Sequence, residues 1–155
     1  MILKGGIRLT YQEINGNLFD YYSRAFLAHC ISADFALGKG IALEFDRRYD
    51  VKRKLKLYNP NYLSWYKENN IGGDAIIVDS IINLVTKEKY FHKPTYRTLE
   101  IALTRLADII KINNIENIAM PLIGCGLDRL SWDRVSVMVQ TIFSDQNCNI
   151  TVVKR

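Results

Sequence analysis

The chain has 155 residues, of which 48% are hydrophobic and 24% charged, a balance typical of a folded domain with an apolar core. This length fits one domain, and we expect residues 1–155 to form a single unit. The three cysteines (Cys30, Cys125 and Cys148) are odd in number and widely spaced, which argues against a disulfide framework and a CxxC zinc site. The net charge of +5 at pH 7 favours anionic ligands such as nucleotides, nucleic acids or acidic proteins.

The N-terminal residues give no sign of export. They lack a long apolar run that ends in a small-residue cleavage site, and no stretch of the chain is long and apolar enough to span a bilayer. Free thiols stay reduced in the cytosol and the nucleus. We therefore expect a cytoplasmic protein, or a nuclear one if the source is eukaryotic.

The first half of the chain predicts two strands and one helix. Apolar residues alternate with polar ones from Ile7 to Gln12, which indicates a strand with one buried face. Residues 25–28 are all apolar, as in a central strand that is covered on both faces. Residues 59–73 are polar and irregular, and they predict a loop. The helix follows a turn at 38–40, and its apolar positions at helical spacing are Ile41, Ala42, Phe45 and Tyr49.

The second half alternates strands with helices, which predicts the α/β class with helices on both faces of a buried sheet. Pro94 and Thr95 are favourable residues for the start of a helix. The buried stripe of that helix is predicted to be Leu99, Ala102, Leu103, Leu106 and Ile110. A last helix carries, on one face, Val135, Met138, Val139 and Ile142. Further strands are predicted at 75–78, 81–85, 118–120 and 150–153.

Two glycine-containing loops are the first candidates for a binding site. Residues 37–41 (Leu-Gly-Lys-Gly-Ile) come directly before a predicted helix, and residues 123–127 (Ile-Gly-Cys-Gly-Leu) lie between a strand and a helix. Glycine lets backbone amides approach a phosphate closely, and a helix N-terminus favours an anion. Two such loops are able to hold a diphosphate between them. They are equally consistent with tight turns of an α/β fold, and neither is a Walker A motif or a GxGxxG fingerprint.

Three sequence blocks, spread over the chain, form a second and more specific pattern. The first block is His-Cys-Ile-Ser-Ala-Asp at 29–34, continued by Gly-Lys-Gly-Ile-Ala at 38–42. The second is Thr-Lys at 86–87 with His-Lys-Pro-Thr-Tyr at 92–96. The third runs from Met120 through Ile-Gly-Cys-Gly-Leu-Asp-Arg-Leu at 123–130 and ends at Trp132. In their residues, order and separation the blocks resemble macrodomains, and in particular the terminal ADP-ribose protein glycohydrolase branch. That branch also includes macrodomain antitoxins that remove ADP-ribose from DNA.

The resemblance implies a three-layer α/β/α fold with a mixed central sheet. It implies that ADP-ribose lies across the C-terminal ends of the strands, as ligands do in open α/β sheets. Lys87 matches the nucleophile of the family and Asp128 its acid/base partner. Residues 124–127 would hold the diphosphate and the distal ribose. The full set of implied ADP-ribose-binding residues is Asn17, Leu18, His29, Ser32, Gly38, Gly40, Ile41, Pro121, Ile123, Gly124, Cys125, Gly126 and Leu127.

The implied chemistry is the release of ADP-ribose from a modified target. A lysine amine attacks the anomeric carbon of the distal ribose, or its ring-opened aldehyde, and forms a covalent sugar–lysine adduct. The amine attacks only after it has lost a proton. Asp128 would accept that proton and later assist the leaving group or water. Because a neighbouring carboxylate also favours the charged ammonium, burial or ligand binding has to offset that effect.

One position departs from the family pattern. Many macrodomains carry Gly-Asp-Leu after the first strand, and the aspartate binds the adenine amino group. This chain has Gly16, Asn17 and Leu18 there. An amide carbonyl still accepts a hydrogen bond but lacks the charge of a carboxylate, so we expect weaker or less selective adenine binding.

The most basic segment of the chain lies between residues 47 and 56, and we interpret it first as a solvated helix face. A contact surface for nucleic-acid phosphates is the alternative, and the aromatic residues of 62–66 would then stack on bases. His29 and His92 have no metal-ligand spacing, so we expect no metal and no cofactor. Cys125 lacks a nearby histidine in sequence and is interpreted as a small loop residue. We expect a monomer without membrane contact.

Three functions stay open at this point. The first is an ADP-ribosyl glycohydrolase that removes mono-ADP-ribose from acidic protein side chains or from DNA bases. The second is a reader that binds ADP-ribose without turning it over. The third is a phosphatase or deacylase of ADP-ribose 1″-phosphate or O-acetyl-ADP-ribose. Lys87 and Asp128 in their motifs favour the first.

Overall fold

The computed structural model describes residues 8–155, and these residues form six strands and five α-helices. No helix among them is long and apolar enough to cross a membrane. In chain order the elements are β1 (Thr10–Asn15), a 3-10 turn (Leu18–Tyr21), β2 (Phe26–Ser32), α1 (Gly40–Tyr49), α2 (Val51–Tyr58), α3 (Tyr62–Glu68), β3 (Asp74–Val78), β4 (Ile81–Lys87), α4 (Tyr96–Asn113), β5 (Asn117–Met120), α5 (Trp132–Ile142) and β6 (Asn149–Lys154).

The strands form one sheet in the order β1-β6-β5-β2-β4-β3. The edge strand β3 runs antiparallel to β4, while every other neighbouring pair is parallel. The predicted α/β class with a mixed central sheet is therefore confirmed. Because β2, β4 and β5 are parallel, their C-terminal ends meet at one edge of the sheet.

Two hydrophobic clusters, one on each face, hold the layers together. Side chains alternate between the faces of a strand, and in β2 Leu27 and Ile31 pack with α1, α2 and α3, whereas Ala28 packs with α4 and α5. Leu27 and Ala28 are both fully buried. Full burial of one such leucine contributes about 1.5–3 kcal/mol to folding. The three-layer arrangement follows from strands that are apolar on both faces.

The longest helix, α4, begins where the sequence predicts. Thr95 is its N-cap and accepts a hydrogen bond from the Thr98 backbone N–H at 3.1 Å, and the Thr98 hydroxyl accepts one from the Thr95 N–H at 3.0 Å. This reciprocal pair satisfies backbone donors that have no partner within the helix. The whole predicted stripe of α4 is buried. The cap fixes the first residue of the helix, which comes directly after the loop that follows Lys87 in the chain.

The first strand and the segment before β3 differ from the prediction. The first strand begins at Thr10, because its pairing with β6 begins with Thr10 opposite Asn149, and Ile7 lies outside the described residues. The segment 59–73 is not a continuous loop, since α3 lies within it. Tyr62 of α3 stacks on Phe35 with 4.9 Å between ring centroids. This long-range contact stabilises a helix that local sequence does not indicate.

His29 is a core residue in the middle of β2. It has no exposed surface, its ring stacks on Phe45 at 4.0 Å between centroids, and its Nε2 lies 2.6 Å from Asn83 Oδ1. The side chain of His29 therefore lies in the core and does not reach the strand-end surface, while its predicted ligand contact stays a prediction. Burial lowers the pKa of His29 from its ordinary value of 6.5 to about 4.

We predict that this buried histidine makes the fold sensitive to acid. As the pH falls through 6.5 the unfolded chain takes up the proton, while the native protein does so only near pH 4. Stability is therefore complete above pH 6.5 and is lost progressively below it, by about 2 kcal/mol at pH 5 relative to pH 8. Urea unfolding at both pH values measures the loss. His29→Gln, which keeps an amide for Asn83, should show a smaller loss, and an equal loss in both proteins would refute this assignment.

Candidate active site

The candidate site lies at the edge of the sheet where three parallel strands end. Ser32, Lys87 and Met120 are the last residues of β2, β4 and β5. The loops that follow these strands carry most of the predicted ligand residues. The order β5-β2-β4 places the end of β2 between the other two.

Lys87 and Asp128 form the central contact of the site. Lys87 Nζ donates a hydrogen bond to Asp128 Oδ1 at 2.8 Å, although the two residues lie 41 positions apart. Their side chains are only 15% and 16% exposed. The chain thus holds an amine and a carboxylate together, in a partly desolvated position, at the place where the ligand is expected.

The loop at 121–131, which carries Asp128, is folded by its own backbone. Gly124 has a φ of +74°, a conformation that favours glycine, and its carbonyl accepts the Leu130 N–H at 2.8 Å. Lys93 Nζ donates to the Leu127 carbonyl at 3.0 Å. These contacts close the loop and fix the path of the chain through Asp128.

The two glycine loops meet. A Cβ atom on Gly40 would lie 3.2 Å from Leu127 Cδ1, and Gly40 itself has a φ of +57°. Gly38, Gly40, Gly126 and Leu127 are exposed, whereas Ile41 is half-buried. The structure therefore brings together the loops that the sequence suggested for a diphosphate. Backbone N–H groups at the start of α1 are suited to an anion there.

Asp34 connects the first loop to the loop after β4. Its Oδ1 accepts hydrogen bonds from the Ser32 hydroxyl at 2.5 Å and from the Ala36 N–H at 3.2 Å. Its Oδ2 accepts the Tyr90 N–H at 3.0 Å. This carboxylate, which sequence analysis gave no role, fixes the position of the Ser32 side chain beside Lys87.

Asn17 lies away from Lys87 and Asp128, after the edge strand β1 on the other side of the sheet. Its Oδ1 accepts the Phe19 backbone N–H at 3.0 Å and so caps the 3-10 turn. A carbonyl oxygen has a second lone pair, which leaves Asn17 able to accept one more hydrogen bond. The residue is exposed. The predicted ligand residues thus extend along the sheet edge from Asn17 to Lys87.

Several predicted ligand residues contribute little exposed side chain. Leu18 and Ile123 are each 2% exposed and pack in the core, so only their backbone is near the surface. Pro121 and Cys125 are half-buried. The Cys125 thiol donates to the Ile123 carbonyl at 3.3 Å, and burial raises its pKa to about 11. That thiol stays protonated at neutral pH, which fits a loop residue and not a nucleophile.

Cys30 is a neighbour of Lys87 and Asp128, and sequence analysis gave it no role. Burial and then the Asp128 carboxylate raise the pKa of its thiol to about 12, although a hydrogen bond with the Gly124 backbone acts the other way. The thiol is therefore neutral and packs against the folded loop. Cys30, Asp34 and Lys93 lie within the quoted sequence blocks, but the blocks gave them no role. Their contacts with Gly124, Tyr90 and Leu127 join residues that are distant in the chain.

Comparison with known proteins identifies relatives over nearly the whole chain, although no protein-family model matches it. The ADP-ribose glycohydrolase OARD1 of Homo sapiens is 35% identical over 151 residues, which are 95% of this chain and 91% of that protein. The DNA ADP-ribosyl glycohydrolase of Mycobacterium tuberculosis is 26% identical over 125 residues, 76% of this chain and 34% of that protein.

A solved structure agrees with these relatives. The macrodomain of Mycobacterium tuberculosis DarG superposes with a TM-score of 0.75 and 25% identity, and the match covers 96% of this chain and 98% of that chain. The family resemblance inferred from the three sequence blocks is confirmed. The chain belongs to the macrodomain family, in the branch of the terminal ADP-ribose glycohydrolases.

Proposed function

We propose that this chain hydrolyses the bond between mono-ADP-ribose and a modified target, with Lys87 as the nucleophile and Asp128 as the acid/base. The targets are acidic protein side chains or DNA bases. The observation that carries the proposal is the 2.8 Å hydrogen bond between Lys87 Nζ and Asp128 Oδ1 beside the two glycine loops. The relatives of this chain include an ADP-ribose glycohydrolase and a DNA ADP-ribosyl glycohydrolase, and their names support the same class of reaction.

The geometry supports a two-step reaction. A base within hydrogen-bond distance of a nucleophile is the arrangement that covalent catalysis requires. Asp128 takes a proton from Lys87 Nζ, and the freed amine forms a bond to the anomeric carbon of the distal ribose. The bond from that carbon to the target breaks, and Asp128 gives the proton to the leaving group. Water, again assisted by Asp128, then cleaves the lysine adduct and restores the free amine.

The partly buried position of the pair supports this role over a stabilising one. An ion pair that is largely withdrawn from water rarely contributes net stability, because desolvation of both charges offsets their attraction. Such pairs in a cleft are common at functional sites. By contrast, other ion pairs of this chain, such as Arg97 with Glu100, are exposed to water.

Removing either member of the pair is expected to abolish turnover without abolishing binding. Lys87→Ala and Lys87→Arg should each lower the hydrolysis rate by about 10³-fold or more, since neither has a free amine to attack. Asp128→Asn should lower it by about 10²- to 10⁴-fold. The measurement is ADP-ribose released from glutamate-ADP-ribosylated protein and from thymidine-ADP-ribosylated DNA.

The matched control is Lys111→Ala, an exposed lysine at the far end of α4, which should keep the wild-type rate. Thermal unfolding of all variants tests whether a loss reflects misfolding. Full hydrolysis by both Lys87→Ala and Asp128→Ala on every substrate would refute the mechanism. Tight binding of ADP-ribose by wild-type protein without any turnover would show a reader instead.

Restoring the family aspartate at position 17 is expected to strengthen ADP-ribose binding. Asn17→Asp keeps the oxygen that accepts the Phe19 N–H and adds a charge for the adenine amino group. Charge-assisted hydrogen bonds are about twice as strong as neutral ones, so we expect roughly three- to tenfold tighter binding. Titration calorimetry with ADP-ribose measures it, and ribose 5-phosphate, which lacks adenine, should bind both proteins equally. Unchanged affinity for ADP-ribose would place adenine away from residue 17.

A further inference from the structure

The position of Asp128 depends on the backbone that carries it. Among the described residues, the Asp128 side chain has one hydrogen-bond partner, Lys87. We call residues 121–131 the Asp128 loop, since they carry this carboxylate from the end of β5 to the start of α5. A displacement of about 1 Å at a reacting group can lower a rate by about 10²-fold. The contacts that hold this loop in place therefore affect the reaction rate.

The backbone directly after Asp128 is strained. Arg129 has a φ of +64°, in the left-handed region that residues with side chains rarely adopt. Such a conformation persists only where the surrounding structure holds the chain on both sides. The bond from Lys93 to the Leu127 carbonyl, at 3.0 Å, holds the loop before Asp128. A second contact is therefore required on the other side of Arg129.

Tyr96 makes one such contact. Its phenol oxygen accepts the backbone N–H of Ser131 at 2.9 Å, although the two residues lie 35 positions apart. Tyr96 is the first residue of α4, the helix whose start is fixed by the Thr95 cap. The Arg134 guanidinium lies 3.7 Å from the centroid of the Tyr96 ring, a cation–π contact that keeps the ring in place. The acceptor for the Ser131 N–H thus lies on a helix outside the loop.

Glu13 of β1 makes the other contact, with the residue that follows Ser131. Its Oε2 accepts the indole Nε1–H of Trp132 at 3.1 Å and the hydroxyl of Tyr11 at 2.6 Å, while its Oε1 lies 3.6 Å from the Lys154 ammonium. The hydrogen bond from Tyr11, followed by that from Trp132, keeps the pKa of Glu13 below its ordinary value. The carboxylate is therefore charged at neutral pH and stays an acceptor for the indole.

These two hydrogen bonds, which we call the anchors, reach the loop from opposite halves of the sheet. The strand β1, which carries Glu13, is one edge of the sheet. Helix α4, which begins with Tyr96, packs on β3 and β4 at the other edge. Because Ser131 and Trp132 are consecutive, both anchors hold the same point of the chain.

The anchors lie on one side of Asp128, and the predicted diphosphate contacts lie on the other. Residues 124–127 come before Asp128 in the chain. They are held by the Leu122 carbonyl, which accepts the Cys125 N–H at 3.1 Å, and by the bond from Lys93. Loss of the anchors should therefore displace the carboxylate more than it displaces the ADP-ribose site.

We propose that Tyr96 and Glu13 are positioning residues, which act through the Asp128 loop and hold its carboxylate against the attacking amine. The proposal rests on the proposed function and adds two residues to it. Without the anchors, the strained backbone after Asp128 relaxes and the carboxylate moves away from Lys87 Nζ. Proton transfer from the amine to Asp128, and from Asp128 to the leaving group, is then slower. The bonds that form and break at the sugar are the same.

Two variants each remove one anchor and keep an aromatic ring at the same position. Tyr96→Phe lacks the hydroxyl that accepts the Ser131 N–H, and Trp132→Phe lacks the indole N–H. The rate of ADP-ribose release is measured in single turnovers, on whichever of the glutamate-linked and thymidine-linked substrates the wild-type protein hydrolyses faster. We expect Tyr96→Phe to lower this rate by about tenfold or more, and Trp132→Phe by about threefold or more. The Kd of free ADP-ribose, measured by titration calorimetry, should stay within about twofold of wild type.

The double variant tests whether the two bonds act together. Because both hold the same point of the chain, Tyr96→Phe with Trp132→Phe should lower the rate by more than the product of the two single losses, and by about 10²-fold or more. Glu13→Gln keeps an oxygen for the Trp132 indole and should retain most of the wild-type rate, whereas Glu13→Leu should match Trp132→Phe.

The matched control is Tyr58→Phe. It removes the hydroxyl of a tyrosine that is 68% exposed on α2, and it should leave both the rate and the Kd unchanged. Thermal unfolding of every variant measures whether a loss of rate reflects a loss of the fold.

The outcomes separate this inference from the proposed function. If wild-type protein releases ADP-ribose and the double variant does so at the same rate, the anchors are refuted while the proposed function stands. If every loss of rate comes with an equal loss of ADP-ribose affinity, the bonds support the fold of the whole loop, and the positioning role is overturned. If wild-type protein releases no ADP-ribose from either substrate, the proposed function fails, and this inference fails with it.

Discussion

The hydrogen bond between Lys87 and Asp128 is the constraint on which the arrangement of the site depends. Lys87 ends β4 and Asp128 lies in the loop after β5, and these two strands are not neighbours, because β2 lies between them. The loop after β5 therefore has to fold back across the end of β2 before its carboxylate reaches the amine. The positive φ of Gly124, the closing bond from Leu130 and the bond from Lys93 to Leu127 all serve that fold.

The contacts around this pair also fix the state of several neighbouring side chains. Cys30 and Cys125 lie close by, but burial keeps both thiols protonated at neutral pH. Asp34 is held by three hydrogen bonds to the loops on either side, so it positions them and has little freedom to act as a base. The site is left with one amine and one carboxylate in contact, which is the minimum that nucleophilic release of a sugar requires.

Periodic and local signals of the sequence predicted much of this fold. Patterns over a few neighbouring residues determine three features: the buried stripe of α4, its threonine cap and the continuous apolar strands. These features can therefore be predicted from the sequence. Helix α3 and the burial of His29 depend on Phe35, Asn83 and Phe45, which are distant in the chain, and no periodicity reveals such contacts. The motif blocks indicated Lys87 and Asp128, but the supporting contacts from Asp34 and Lys93 required the structure.

Covalent capture of the adduct tests the central claim, that Lys87 attacks the sugar, most directly. Wild-type protein and Asp128→Ala are mixed with ADP-ribosylated substrate in the presence of cyanoborohydride, which reduces the ring-opened imine form of the lysine–ribose adduct to a stable amine. The peptides are then analysed by mass spectrometry. The account predicts ADP-ribose attached to Lys87 in both proteins, and slower formation of the adduct in Asp128→Ala because the amine then lacks its base. Turnover by wild-type protein with no adduct, or with an adduct only on another lysine such as Lys93, would contradict it.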